Sequence, residues 1–277
     1  MKLAGKTAVV TGGSMGIGEA IARRCVAEGA AVVVTSRERQ RAEAACAGLG
    51  APDRTLALAC DVRRRADLEV LLAATLQRFG RVDIWVNNAG RGLLDSVVSM
   101  DMAVCRSLFD TNLFGAIDAM QVVIPQMKRQ GDGVVINIAS VAGHIAVPGM
   151  AAYCASKLAL MAIGRAARVE LLGTGVHVMT VCPGYIATDF AINAIKGEEA
   201  KRMGAAARRG ISAERVAGAV LRGCLARRRE VVVPWRDRLI IRLYQTLPRL
   251  VEWSMARMLR PADQVIAAAE AARKGRG

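Results

Sequence analysis

Short apolar runs and longer amphipathic stretches alternate along most of the chain. Lys6 to Val10, Ala30 to Arg37, Thr55 to Val62, Val82 to Gly90, Gly133 to Ser140, Gly175 to Gly184 and Glu230 to Pro234 are short and rich in β-branched residues. These runs predict seven strands. Between them, Glu19 to Glu28, Arg39 to Gly48, Arg64 to Phe79, Met102 to Gln130 and Ala151 to Leu172 carry helical spacing. In the first of these helices Ala20, Ile21, Ala22 and Val26 can face a sheet. Near-continuous apolar strands that alternate with helices of about ten residues or more predict an α/β fold, a doubly wound parallel sheet with helices on both faces. No repeat or linker breaks the pattern before the last strand. Residues 1–234 therefore read as one domain and 235–277 as a helical extension.

In such a sheet, ligands sit beyond the carboxyl ends of the strands. The polar and glycine-rich turns gather at that edge: Gly12 to Gly18, Ser36–Arg37, Asp61–Val62, Asn87 to Gly90, Ser140 and Pro183–Gly184. The first lies in "TGGSMGIG", Thr11 to Gly18, where four of eight residues are glycine. A glycine turn between a strand and a helix offers backbone N–H groups and the positive end of the helix dipole to an anion. The stretch predicts a phosphate site.

Composition narrows the classes. The chain has 277 residues, 53% of them hydrophobic, enough for a substantial core. "MKLAGK" leads straight into the first strand without a preceding apolar region, and no apolar run approaches the roughly 20 residues of a membrane span. Seven cysteines are scattered without CxxC spacing, which suits reduced, buried thiols in a cytoplasmic protein and neither a disulfide framework nor a metal site. The net charge of +15 could attract nucleic acid, anionic membrane or phosphorylated substrates. Aromatic residues are only 4% of the chain, leaving little to stack on bases, so nucleic acid is not expected as a partner.

The ordered set "TGGSMGIG", Asp61–Val62, "NNAG" at Asn87–Gly90, Asn112, Ser140, "YCASK" at Tyr153–Lys157 and "PGYIAT" at Pro183–Thr188 resembles the short-chain dehydrogenases/reductases, over roughly Leu3 to Pro234. The resemblance implies a Rossmann-like sheet and a nicotinamide dinucleotide whose pyrophosphate passes over Thr11, Gly12, Ser14, Met15, Gly16, Ile17 and Gly18. It implies further cofactor contacts from Asp61 and Val62 to adenine, from Asn88, Ala89 and Gly90 to the adenosine ribose side, and from Pro183, Gly184, Ile186 and Thr188 to the nicotinamide. Asn112, Ser140, Tyr153 and Lys157 are the implied catalytic residues, with Lys157 also on the nicotinamide ribose and Asn112 holding a relay water. A homodimer or homotetramer is implied as well.

The residues support that chemistry on their own terms. Tyr153 and Lys157, four apart, share one helix face. A phenol titrates near 10; lowering it by about three units takes about 4 kcal/mol, within reach of two nearby cations in a dry cleft. Tyr153 is then a general acid for carbonyl reduction and a general base for alcohol oxidation, with Ser140 holding the substrate oxygen. A non-catalytic NADP(H)-binding redox sensor or scaffold is the rival reading, and it has no need of a proton donor.

The end of the second strand bears on the cofactor. An acidic residue there accepts from the ribose 2′-OH of NAD(H), whereas this chain has Ser36 and Arg37, with Arg39 and Arg41 behind. NADP(H) is expected over NAD(H), although Met15 supplies no basic contact and Glu38 adds repulsion. His144, Val147, Met150, Tyr185, Phe190, Ile192 and Ile195 are expected to line a largely apolar substrate pocket suited to a hydrophobic ketone, aldehyde or alcohol. After Pro234 the sequence predicts two short basic amphipathic helices, broken at Pro248 and closed before Pro261. They can pack on the domain, form a subunit interface, or lie on a membrane through 235–260.

Overall fold

The structure is a computed structural model and describes residues 1–186, 194–197 and 210–257. Its centre is a seven-stranded parallel sheet. The strands are β1 (Thr7–Val10), β2 (Ala31–Ser36), β3 (Thr55–Ala59), β4 (Ile84–Asn87), β6 (Gly133–Ile138), β7 (Val176–Pro183) and β9 (Glu230–Val233), in the order β3-β2-β1-β4-β6-β7-β9. Two short strands, β5 (Leu93–Leu94) and β8 (Ile195–Lys196), pair parallel outside it. The order reverses between β1 and β4, so a crevice opens there beyond the strand ends.

Alternate residues of each strand point to opposite faces, and each face meets its own helices. Val10, Val34, Val86 and Ile136 pack with Ile21 and Cys25 of α1 (Gly16–Ala27), with Ala42 of α2 (Arg39–Gly48), and with Val216, Val220 and Leu221. Val9, Val33, Trp85 and Val135 pack with Leu68 and Leu71 of α3 (Arg65–Phe79), and with Ala119, Met120, Val123 and Met127. Each fully buried large side chain adds about 1.5–3 kcal/mol. Trp85 is buried without residue, and its indole N–H donates to Asn87 Oδ1 at 2.9 Å.

The predicted helix from Met102 to Gln130 is real but not uniform. α4 (Met102–Phe109) passes through a π-helical turn, Asp110–Phe114, into α5 (Gly115–Gln130). α6 (Ala151–Glu170) follows β6, and α7 (Ala213–Leu225) precedes β9. α7 has no counterpart among the predicted elements, although its buried positions 213, 216, 217, 220, 221 and 224 repeat at helical spacing and Ser212 caps it by accepting from Arg215 N–H. Neither have β5 and β8, because two residues show no period. After β9, α8 (Asp237–Thr246) and a helical stretch over 248–257 match the two predicted helices as far as the described residues run.

Candidate active site

The glycine turn owes its shape to contacts that a side chain would destroy. Gly12 and Gly16 have φ of +59° and +57°, a backbone region where a Cβ is strained. A Cβ on Gly18 would lie 2.6 Å from Gly12 O and 2.9 Å from Gly13 Cα, and would strike the Asn88 amide. That amide donates to Thr11 O at 3.0 Å and Gly12 O at 2.9 Å, while the buried Thr11 hydroxyl accepts from the backbone N–H groups of Asn88 and Ala89. Thr11 and Asn88 thus tie the glycine turn to the end of β4. The turn leads directly into α1, so its backbone approaches a ligand at the helix head. Such a cradle fits a dinucleotide pyrophosphate.

Ser140, Tyr153 and Lys157 meet on the far side of the same crevice. The Lys157 ammonium donates to Ile138 O at 2.8 Å and lies 5.9 Å from the Tyr153 ring centre. A Cβ on Gly90 would come within 3.5 Å of Lys157 Nζ and 3.3 Å of Asn112 Oδ1, so Gly90 connects the cradle to this group. Ser140 stands two residues beyond β6, caps the turn Val141–Gly143 by accepting from Ala142 N–H, and is hydrogen-bonded to Tyr153. Ser140, Tyr153 and Lys157 are therefore brought together as expected, with Asn112 beside them. Asn112 sits in the π-helical turn with its amide engaged: Oδ1 accepts from Arg91 N–H at 2.9 Å, and Nδ2 donates to Arg91 O and Ser156 Oγ. Its side chain clamps the loop after β4 onto α6.

Of the two cations expected to lower the tyrosine, the Lys157 ammonium and an oxidised nicotinamide, the chain itself holds only the first, and burial outweighs it. Burial pushes the Tyr153 phenol up to about 12, with the Ser140 hydrogen bond opposing, and burial pulls Lys157 down to about 8. The phenol holds its proton at neutral pH and is set as an acid. Acting as a base needs further positive charge in the crevice.

At the close of β2, Arg37 is exposed and makes no ion pair among the described residues. Arg39 and Arg41 are occupied by Glu43 and Glu38, so Glu38 is neutralised and Arg37 is the cation on offer. Arg63 and Arg91, which the reading of the sequence did not single out, lie near enough to act on the same region. Burial lowers Arg91, and Arg37 and Arg63 lower it further. The neighbouring Asn88–Gly90 motif was the available signal for Arg91. Arg63 also grips Asp61 (Nε to Oδ1, 3.0 Å) and holds its carboxyl below the usual range, so Asp61 remains an ionised acceptor. Val62 is buried, packed on Gly115.

Of the expected pocket residues, Val147 and Met150 are half-buried after Ser140, and Tyr185 is exposed. Thr188, Phe190 and Ile192 lie outside the described residues. The side chain of His144 is buried against Glu230, its Nε2 at 3.3 Å from Oε1, a distance for an ion pair but poorly aligned for a hydrogen bond. His144 foremost, and then Arg165 at 3.1 Å, hold Glu230 down to about 2. Together, Cys182 Sγ, His144 Nε2 and a Glu230 oxygen lie within 4.8 Å of one another. Arg165 is already on the carboxylate and burial holds the proton on Cys182, so two of the three ligand atoms are engaged rather than free for a metal.

A depressed Glu230 stabilises the fold fully above its ordinary value of 4.5, and that contribution is lost as the pH falls toward 2. Glu230→Gln is accordingly expected to cost at most about 3 kcal/mol at neutral pH. Denaturant titrations at a series of pH values check this: the gap from wild type should close on acidification, and a gap independent of pH would refute the assignment.

The sequence matches the short chain dehydrogenase family model over residues 6–199. It is 37% identical over 185 residues to the ketoacyl reductase HetN of Nostoc sp., covering 66% of this chain and 64% of that protein's length. A short chain dehydrogenase/reductase from Burkholderia phymatum in complex with NAD shares the fold, with TM-score 0.81 and 24% identity over 90% of this chain and 96% of that one. A metagenomic short-chain oxidoreductase in complex with NADP has TM-score 0.71 and 30% identity over 84% and 98% of the two chains. With the family pattern running from β1 through α6, across both the glycine turn and the tyrosine–lysine helix, the chain belongs to the short-chain dehydrogenase/reductase family of oxidoreductases.

Proposed function

We propose that this protein reduces a hydrophobic ketone, or in reverse oxidises the secondary alcohol, with NADP(H) preferred over NAD(H) and Tyr153 as the proton donor. The observation that carries the reading is the convergence of Ser140, Tyr153 and Lys157, with Lys157 next to Gly90 and so beside a glycine cradle built for a dinucleotide. When bound, the nicotinamide supplies the hydride. The Ser140 hydroxyl, fixed just beyond β6, holds the substrate oxygen and stabilises the charge that develops there. Tyr153, protonated because it is buried, gives its proton to that oxygen. Lys157, pinned to Ile138 O, keeps an ammonium close to the phenolate that results. Asn112 fixes the loop after β4 and so keeps Gly90 and Lys157 in register.

Two features support the cofactor preference. The close of β2 bears Arg37, unpaired among the described residues, where an acid would select NAD(H), and Arg63 and Arg91 add positive charge nearby. For substrate, the relative from Nostoc is named a ketoacyl reductase, and Val147 and Met150 give apolar walls. An acyl or similarly greasy carbonyl suits both. His144, held by Glu230, is not assigned to substrate. A dimer or tetramer remains the expected assembly.

The cofactor choice is tested by Arg37→Asp. A guanidinium–phosphate contact contributes about 1.5–3 kcal/mol, so kcat/KM for NADPH should fall about tenfold to a hundredfold while that for NADH holds or rises. Equal losses with both cofactors, or no change, would remove Arg37 from this role.

A further inference from the structure

After β9 the chain builds a surface unlike the rest of the molecule. Trp235, Leu239, Ile240, Leu243, Leu250 and Trp253 are each between 43 and 64% exposed, all within 19 residues of sequence. The helices are not detached. Ile241 is buried, and Tyr244 and Met255 pack with Ala139, Ile145 and Cys182 beside the end of β6. At the start of α8, Asp237 is turned in against Gly184, where a Cβ would meet its carboxylate. Helical spacing separates two sides of α8. Positions 237, 241 and 244 form the docked side, and 239, 240 and 243 form a second apolar side facing outward.

Charge identifies what covers that side. Residues 235–257 contain Arg236, Arg238, Arg242, Arg249 and Arg257 against Asp237 and Glu252, five positive charges less two negative, a net +3. None of the five arginines forms an ion pair among the described residues, and Arg257 stacks on Trp253 at 4.2 Å. On α8, Arg238 and Arg242 fall at the edge of the exposed apolar side, next to Leu239. A two-fold contact between copies would set these arginines against themselves. A bilayer with anionic headgroups takes both features at once: acyl chains accept the leucines, headgroups attract the arginines, and tryptophans settle at the interface between them. Among the described residues no helix is long and apolar enough to cross a membrane.

We infer that α8 and the helical stretch over 248–257 form a docking surface for an anionic lipid bilayer, on which the protein lies without spanning it. The surface starts at Gly184 and Tyr185, so docking sets the rim of the crevice against the lipid.

The test is co-sedimentation of the full chain with sucrose-loaded vesicles of phosphatidylcholine alone or of equal parts phosphatidylcholine and phosphatidylglycerol, with tryptophan emission followed in parallel. Because binding is read without turnover, failure here is distinct from failure of the catalytic reading. The expected result is binding at least about tenfold tighter to the anionic vesicles, weakened by salt, with a blue-shifted emission. Arg238→Gln with Arg242→Gln should weaken it about thirtyfold, at roughly fivefold per arginine. Leu239→Ser, Leu243→Ser and Trp253→Ser together should abolish it while circular dichroism and NADPH binding stay at wild-type values. No binding of wild type to either vesicle would overturn the inference. So would binding that the triple variant keeps, or a wild-type dimer that the triple variant breaks with no vesicle binding, which would make this face a subunit contact. A chain that binds vesicles only after residues 258–277 are removed would show that the protein's own C-terminus covers it.

Discussion

Tyr153→Phe is expected to lower kcat for carbonyl reduction by about a hundredfold to ten-thousandfold, the range for removing a positioned general acid. NADPH affinity should change by less than about threefold, because the substitution removes one oxygen and leaves the ring that faces Lys157. The fold should keep its stability to within about 1 kcal/mol, since the change trades one hydrogen bond for relief from burying a polar group. The split between a large loss in kcat and a small change in binding separates a proton donor from a packing residue. A variant with wild-type kcat would mean that the proton comes from elsewhere. The pH dependence adds a second check: with the phenol at about 12 in the protein alone, reduction should not lose activity through deprotonation of Tyr153 anywhere near neutrality.

Gly18→Val is expected to remove cofactor binding, raising the NADPH Kd at least about a hundredfold. The Cβ would sit 2.6 Å from Gly12 O and 2.9 Å from Gly13 Cα, both backbone atoms that cannot swing aside. The turn must therefore move, and with it the N–H groups at the head of α1. Overpacking of this kind costs about 1–3 kcal/mol of stability, so calorimetry should also show a lower Tm. Gly48→Ala is the matching control. It lies at the end of α2 with only the tip of Arg23 3.9 Å away, and should leave binding unchanged while raising stability by about 0.5–1 kcal/mol. Wild-type NADPH affinity in Gly18→Val would mean that the cradle is not where the dinucleotide binds.

What could be read in the sequence was what repeats. All seven predicted strands start within two residues of the sheet's strands, because buried parallel strands are plain apolar runs. β3 begins at its predicted Thr55 and ends three residues early, where the chain leaves the sheet at Cys60. The Tyr153–Lys157 pair was legible as a local i,i+4 fact, whereas the arrival of Ser140 beside it was implied by the ordered set of family motifs. Contacts made across the fold were not. Nothing near Asn112 announces that its amide will clamp Arg91 and Ser156, or that the helix there takes a π turn to put it in reach. His144 looked like a loop residue at a pocket, yet its partner Glu230 stands 86 positions away on β9. Arg37 was already singled out by its place at the end of the second strand; the ion pairs that occupy Arg39 and Arg41 behind it could not be read there. How strongly burial raises Tyr153 in the chain by itself was also out of reach, because it depends on everything packed around α6.

The measurement that bears most directly on the central claim is NADPH consumption by the wild-type protein over a graded series of carbonyls, from small ketones to long 3-ketoacyl thioesters. The proposed reductase should turn over the longer, more hydrophobic members fastest, and faster with NADPH than with NADH. Tight NADPH binding with no oxidation across the whole series would contradict it, and would favour a protein that binds the dinucleotide without using it.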